Sequence, residues 1–148
     1  RTHISVRKGS MQANQFWARL IDALQLLAAD YAVQREAIPS FAHLPDELAL
    51  IYSDCLLCVE RSANKLMNYG ILSESAFRKL RELDDVFRYM SEKPDLWTID
   101  ALIHSSEWSQ VRMNAREILR ELGIPPQTPQ LDWISYLPVS ASDTDNNS

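Results

Sequence analysis

The sequence predicts an all-α protein, a single-domain bundle of four to five helices with a Pro-rich C-terminal arm packed on it. Three observations carry that prediction. Apolar residues recur at i, i+3, i+4 and i+7 through several long stretches, the spacing that lines one stripe of an α-helix. Residues that start or stop helices punctuate those stretches, among them Pro45, Ser73, Pro94, Ser105 and Gly123. Strand-period alternation is missing outside the C-terminal arm, as are internal repeats and Gly-rich loops.

Residues 1–10, RTHISVRKGS, show no periodicity and end in Gly9-Ser10 before Met11, so they are expected to be a leader or tag outside the core. Residues 11–138 form the expected single helical domain and residues 139–148, VSASDTDNNS, a disordered tail. Helix one is expected from about Gln12 to Glu36, with Trp17, Leu20, Leu24, Leu27 and Tyr31 on one stripe and Ile21, Ala28 and Val33 widening it. The loop that follows should tuck Phe41 and Leu44 under that helix. Helix two reads from Pro45, a preferred first helical residue, to Tyr69, with Gly70 as its left-handed cap. Its middle, Cys55 to Val59, is apolar nearly all round, which predicts the central helix of the bundle.

Helix three opens at Ser73 and runs to about Glu92, burying Phe77, Leu80, Leu83, Val86, Phe87 and Met90 before Pro94 closes it. A short capped helix over Thr98–Leu102 precedes a longer one. In that last helix Trp108, Val111, Ala115, Ile118, Leu119 and Leu122 share a stripe, Ser105 or Ser106 caps the start, and Gly123 with Pro125-Pro126 stops it. The arm Leu131–Pro138 carries Trp133 and Tyr136 and should dock back on the bundle, because burying a large aromatic is worth about 2–3 kcal/mol.

Composition excludes some functions. At 148 residues, 46% hydrophobic and 24% charged, the chain is an ordinary globular domain with enough length to bury a core. Its uncharged, mostly apolar run Ala23–Ala29 falls far short of the ~20 residues a bilayer helix needs, so no membrane partner is expected. Net charge is −5; without Arg1, Arg7 and Lys8, the 15 basic residues fall to 12 against 20 acidic ones, a net of −8. An acidic domain is a poor ligand for a phosphate backbone and a good one for a basic protein. Only two cysteines are present, which agrees with a reducing, cytoplasmic setting.

No catalytic signature emerges, and the expectation is a protein that is not an enzyme and holds no cofactor or metal. Cys55-x-x-Cys58 lies mid-helix among leucines rather than at a helix start after a strand, so two buried structural thiols are the simpler reading. Asp54, Glu82, Asp84 and Asp85 lack the Glu-x-x-His pattern of a di-iron bundle, and Asp100 with His104 offers only one carboxylate and one imidazole. Ser53, Ser62, Ser105 and Ser106 have no Gly-x-Ser-x-Gly elbow around them. Arg112, Arg116 and Arg120 could grip an anion, but Glu117 and Glu121 lie beside them, so a self-compensated solvated face is expected. A helix-turn-helix over residues 98–122 has the right sizes, yet Glu107 at the entering end and Trp108 in the stripe oppose it.

What remains is an acidic surface on helix three and its exit. Glu82, Asp84, Asp85, Asp95, Asp100 and Glu107, with Tyr89 and Trp97 as aromatic anchors, are the candidate partner-binding residues. The run Glu82-Leu83-Asp84, then Leu96-Trp97 to Ala101-Leu102, then Glu107-Trp108 to Val111-Arg112 and Ala115-Arg116 to Leu119, resembles the tail of small helical immunity proteins. Those proteins stand beside toxins of bacterial contact-dependent inhibition and related polymorphic toxin systems, and include inhibitors of EndoU-type ribonucleases. The pattern, LW-x-x-x-AL followed by W-x-x-VR, covers the last third of the globular part. The resemblance implies a cytoplasmic, non-enzymatic immunity protein that binds a cognate basic ribonuclease toxin domain and occludes its active site. A helical DNA-binding or regulatory protein, and a structural interaction module of a larger assembly, are the alternatives.

Overall fold

A computed structural model describes residues 2–6 and 13–138. Helix α1 spans Ala13–Ala28, and its second half, Ala23–Ala28, is buried on every side, Gln25 included. α1 therefore fills the middle of the molecule, with α3 (Leu44–Arg61) on one flank and α7 (Ser106–Glu121) on the other. This corrects the expectation that helix two is central. The Cys55–Val59 segment of α3 buries Cys55, Leu56, Cys58 and Val59, but Leu57 stands 45% exposed, so that helix has a solvent side.

Helix one is also two helices. The chain breaks at Ala29-Asp30, Asp30 adopts extended geometry, and α2 (Tyr31–Ala37) starts on a new phase. The side chain of Arg116 on α7 meets the break, donating from Nε to the Ala28 carbonyl at 2.8 Å and reaching the Asp30 carboxylate at 3.3 Å. It thus occupies a terminal carbonyl at the negative end of α1. The phase shift exposes Val33, expected inside, and buries Gln34, whose amide donates to the Leu26 carbonyl at 3.1 Å. Phe41 is likewise exposed, whereas Leu44 is buried as expected.

Helix two divides as well. At Ser62 the backbone N–H turns back to the Val59 carbonyl, a tightened last turn, and α4 (Ala63–Asn68) continues the buried stripe through Leu66. Gly70 follows with φ 76°, the left-handed geometry that glycine reaches without Cβ strain. α5 (Glu74–Met90) buries Leu80, Leu83, Phe87 and Met90, with the Ser73 hydroxyl accepting from the Ala76 N–H. A 3₁₀ turn at Pro94–Leu96 leads into α6 (Ile99–His104), capped by Thr98, and α7, capped by Ser105 rather than Ser106.

The cores of α3, α5 and α7 meet in aromatic contacts. Tyr52 lies 5.9 Å from Phe87, Phe87 is 5.7 Å from Trp108, and Trp97 stands edge-on to Trp108 at 5.6 Å. Each polar tip has an acceptor: Tyr52 Oη donates to the Leu80 carbonyl at 2.6 Å and Trp108 Nε1 to the Leu96 carbonyl at 2.7 Å.

After Gly123, at φ 74°, the connector runs along α1 and is tied there by Gln25. The arm then docks as expected: Trp133 Nε1 donates to the Gln130 carbonyl and to Asp22, Arg19 stacks over the indole at 5.1 Å, and Ile134 is buried. Strand β2 (Ile134–Pro138) pairs antiparallel with β1 (Thr2–Val6), Thr2 opposite Pro138 and Val6 opposite Ile134. Residues 2–6, set aside as leader on sequence grounds, are thus part of a two-stranded ribbon. The remainder of 1–10 and the tail at 139–148 lie outside the described residues. Among the described residues no helix is long and apolar enough to cross a membrane.

Candidate functional site

The acidic surface sits at the C-terminal end of α5, the Pro94 turn and α6. Arg88 forks between the first two acids, Nη2 to Asp84 and Nη1 to Asp85, each at 3.0 Å. The Asp84 side chain is 27% exposed and that of Asp85 is 65% exposed, so Asp85 is the one presented to solvent. Asp95 and Asp100 are both exposed, the Asp100 carboxylate 3.2 Å from His104 Nδ1. Glu82 borders a small cleft shared with Lys79, Asn114 and Glu117 on the α7 side. Glu107 is half-buried and accepts from Ser106.

The two aromatic candidates part company. Tyr89 is 55% exposed, with the Lys93 ammonium 5.1 Å from its ring, and can anchor a partner. Trp97 is half-buried, donates from Nε1 to the Met90 carbonyl at 2.9 Å and packs on Trp108. These contacts tie it to the turn that carries the acids.

The chemical alternatives find little support in the geometry. Cys55 and Cys58 are free and buried, and desolvation, ahead of the neighbouring Cys58, pushes the Cys55 thiol far up. That suppresses the thiolate on which redox and metal chemistry depend. Among the described residues, no three His, Cys, Asp or Glu side chains are grouped to hold a metal. The arginine row of α7 is not compensated by its own helix. Glu117 and Glu121 instead clasp Lys79 of α5, at 3.4 and 2.6 Å, and that hydrogen bond holds the Glu121 carboxyl below its usual range. Arg112 donates to the Leu102 carbonyl at 3.0 Å, and burial, with Arg116 next to it, lowers its pKa. Arg116 is tied to Ala28. A helix that read DNA would have to present these guanidinium groups; of the three, Arg120 alone is both exposed and without an ion pair to a described residue.

A second feature, not anticipated from the sequence, is a groove of about 1000 Å³ beside the C-terminal end of α7. Ala28, Ala29 and Leu119 form its floor, Asp30 and Val33 of the α1–α2 break one rim, and the connector from Gly123 to Thr128 the other. Arg116 and Arg120 reach it from α7. Gln25 fixes the connector in place: its Nε2 donates to the Pro125 carbonyl at 3.0 Å, and its Oε1 accepts from the Gln127 N–H at 2.9 Å. The residue itself is 4% exposed. One signal pointed here. Gln25 is the single polar residue in the otherwise apolar run Ala23–Ala29, and a lone buried amide implies a hydrogen-bonding task. Comparison with protein-family models, curated proteins and solved structures finds no match to this chain.

Proposed function

We propose that this is a non-enzymatic, cytoplasmic immunity-type protein that captures a basic protein domain, a ribonuclease toxin in the reading its helical pattern implies, and covers that domain's active site. The observation that carries the reading is the exposed acidic end of α5, the Pro94 turn and α6. There Asp85, Asp95, Asp100 and Tyr89 are all exposed, while Trp97 and Trp108 are fixed by hydrogen bonds to backbone carbonyls. A ribonuclease site is basic because it holds phosphates. A rigid acidic surface competes for the same Lys and Arg groups and steers the encounter.

The test is co-expression with the toxin encoded beside the gene, followed by kinetics on the purified pair. Growth should be rescued, and the association rate should fall steeply with salt as the long-range attraction is screened. Asp85→Lys with Asp100→Lys should slow association by about tenfold or more and abolish rescue, with an unchanged melting temperature, because both side chains are exposed and their pairs contribute little to folding. Failure of the wild-type chain to rescue, or an association rate indifferent to the charge reversal, overturns the reading.

A further inference from the structure

The groove at the far end of α7 is a separate site, and we infer that it binds a short extended segment of another protein that carries apolar side chains and an Asp or Glu. Glu107 and Arg120 are thirteen residues apart on one helix, about 20 Å along its axis, so this groove does not overlap the acidic surface.

Charge selects the occupant. The chain is acidic overall, yet this groove is lined by two arginines and one carboxylate. Asp30 takes one Nη of Arg116, and Arg120, one turn further along α7, is exposed and has no ion pair among the described residues. A guanidinium beside an apolar floor is a strong donor to a carboxylate, since two parallel N–H bonds can form where solvent is partly excluded. A basic segment would meet two like charges at the same place. The floor of Ala28, Ala29 and Leu119 accepts apolar side chains, and Val33, 40% exposed at the rim, is an apolar contact left open to solvent.

Shape selects an extended chain over a small ligand. Small-molecule sites enclose their ligand and bury most of its surface. This groove is about 1000 Å³ and open to solvent, so an occupant keeps one side exposed, as a chain segment passing through it does. Its outer wall is already ordered: Pro125 and Pro126 restrict the connector, and Gln25 bonds it from inside, so little entropy is lost when the groove is filled. The same wall cannot lend a β-ladder. Pro125 and Pro126 have no N–H, and the Gln127 N–H is already given to Gln25. Side chains and the carboxylate–arginine pair, rather than added strand hydrogen bonds, therefore set the specificity.

Selection of short random peptides displayed on phage against the immobilised full chain, with counter-selection on Arg120→Glu, tests the inference. The enriched peptides should carry Asp or Glu between apolar residues. A synthetic copy should bind wild type roughly tenfold or more tightly than R120E. It should also shift the amide resonances of Ala29, Gly123 and Gln127, and Val33→Asp at the opposite rim should weaken it as well. Both variants alter exposed side chains, and an unchanged melting temperature verifies that they fold. No enrichment, enrichment of basic or purely apolar peptides, equal binding to R120E, or resonance shifts confined to α5 and α6 overturns the inference. So does displacement of the amide resonances at the groove by laurate when no peptide is enriched, which would make the occupant a lipid-derived anion. R120E retains the acidic surface, so its rescue of toxin-exposed cells stays at the wild-type level and separates this site from the one proposed above.

Discussion

Asp22 illustrates how a single side chain can work against the fold at neutral pH. It is half-buried between α1 and the arm, and desolvation raises its carboxyl above the ordinary value of 3.8, outweighing the hydrogen bond from Trp133. A raised folded-state pKa means that the protonated form is the better accommodated one. Its stabilising contribution is complete below the unfolded value and is lost as pH rises through the folded value. Asp22→Asn keeps an oxygen for the Trp133 indole and removes the charge. Urea unfolding should therefore show the variant gaining on wild type between pH 3 and pH 7; a constant difference across that range contradicts the assignment. At this scale the sequence was readable where burial follows from period alone, as for Trp108, Val111 and Ala115. It was not readable for Trp97, whose indole partner is the Met90 carbonyl, a group that residue type cannot reveal.

Whole elements were legible where their ends are written locally. Ser73, Thr98 and Ser105 each accept from the backbone N–H three residues on, and α5, α6 and α7 begin after them as capping chemistry dictates. The α1–α2 break was illegible because the donor that satisfies its freed Ala28 carbonyl is 88 residues away in sequence, in Arg116. Arg116→Ala should cost roughly 1–3 kcal/mol by stranding the Ala28 carbonyl, and amide exchange should quicken in α2. Asp30→Ala should cost far less, since that carboxylate is 85% exposed and its ion pair is screened. Equal losses would mean that the ion pair, not the carbonyl, holds the break. The division at Ser62 falls on the one polar member of the stripe Leu48, Ile51, Cys55, Val59, Ser62, Leu66, and the apolar period that runs on to Leu66 hides it.

The molecule as a whole holds two surfaces of opposite character. The acidic residues are visible in the sequence, because they lie within a short span of it and charge is read there directly. The groove was not, because it is assembled from α1, α2, α7 and the connector, with Gln25 and Gln127 separated by 102 positions. Gln25 bears on both the groove and the global fold. Gln25→Ala should lower stability by roughly 1–3 kcal/mol, since it leaves the Gln127 N–H without its acceptor, and should make the connector between Ile124 and Gln130 the first site of limited proteolysis. Cleavage at the same rate in both proteins would show that the prolines alone hold that wall.

The ribbon of β1 and β2 also gives the molecule a direction of mechanical weakness. Thr2 faces Pro138, so the outer ends of both strands lie together while Val6 and Ile134 close the inner end. Tension that draws the two outer ends apart does not shear all the interstrand hydrogen bonds at once. Antiparallel bonds lie perpendicular to the strands, and the load falls on the outermost pair, then on the next, as in a zip. The ribbon should open at low force while the helices of the bundle stay folded, making it a fuse ahead of them.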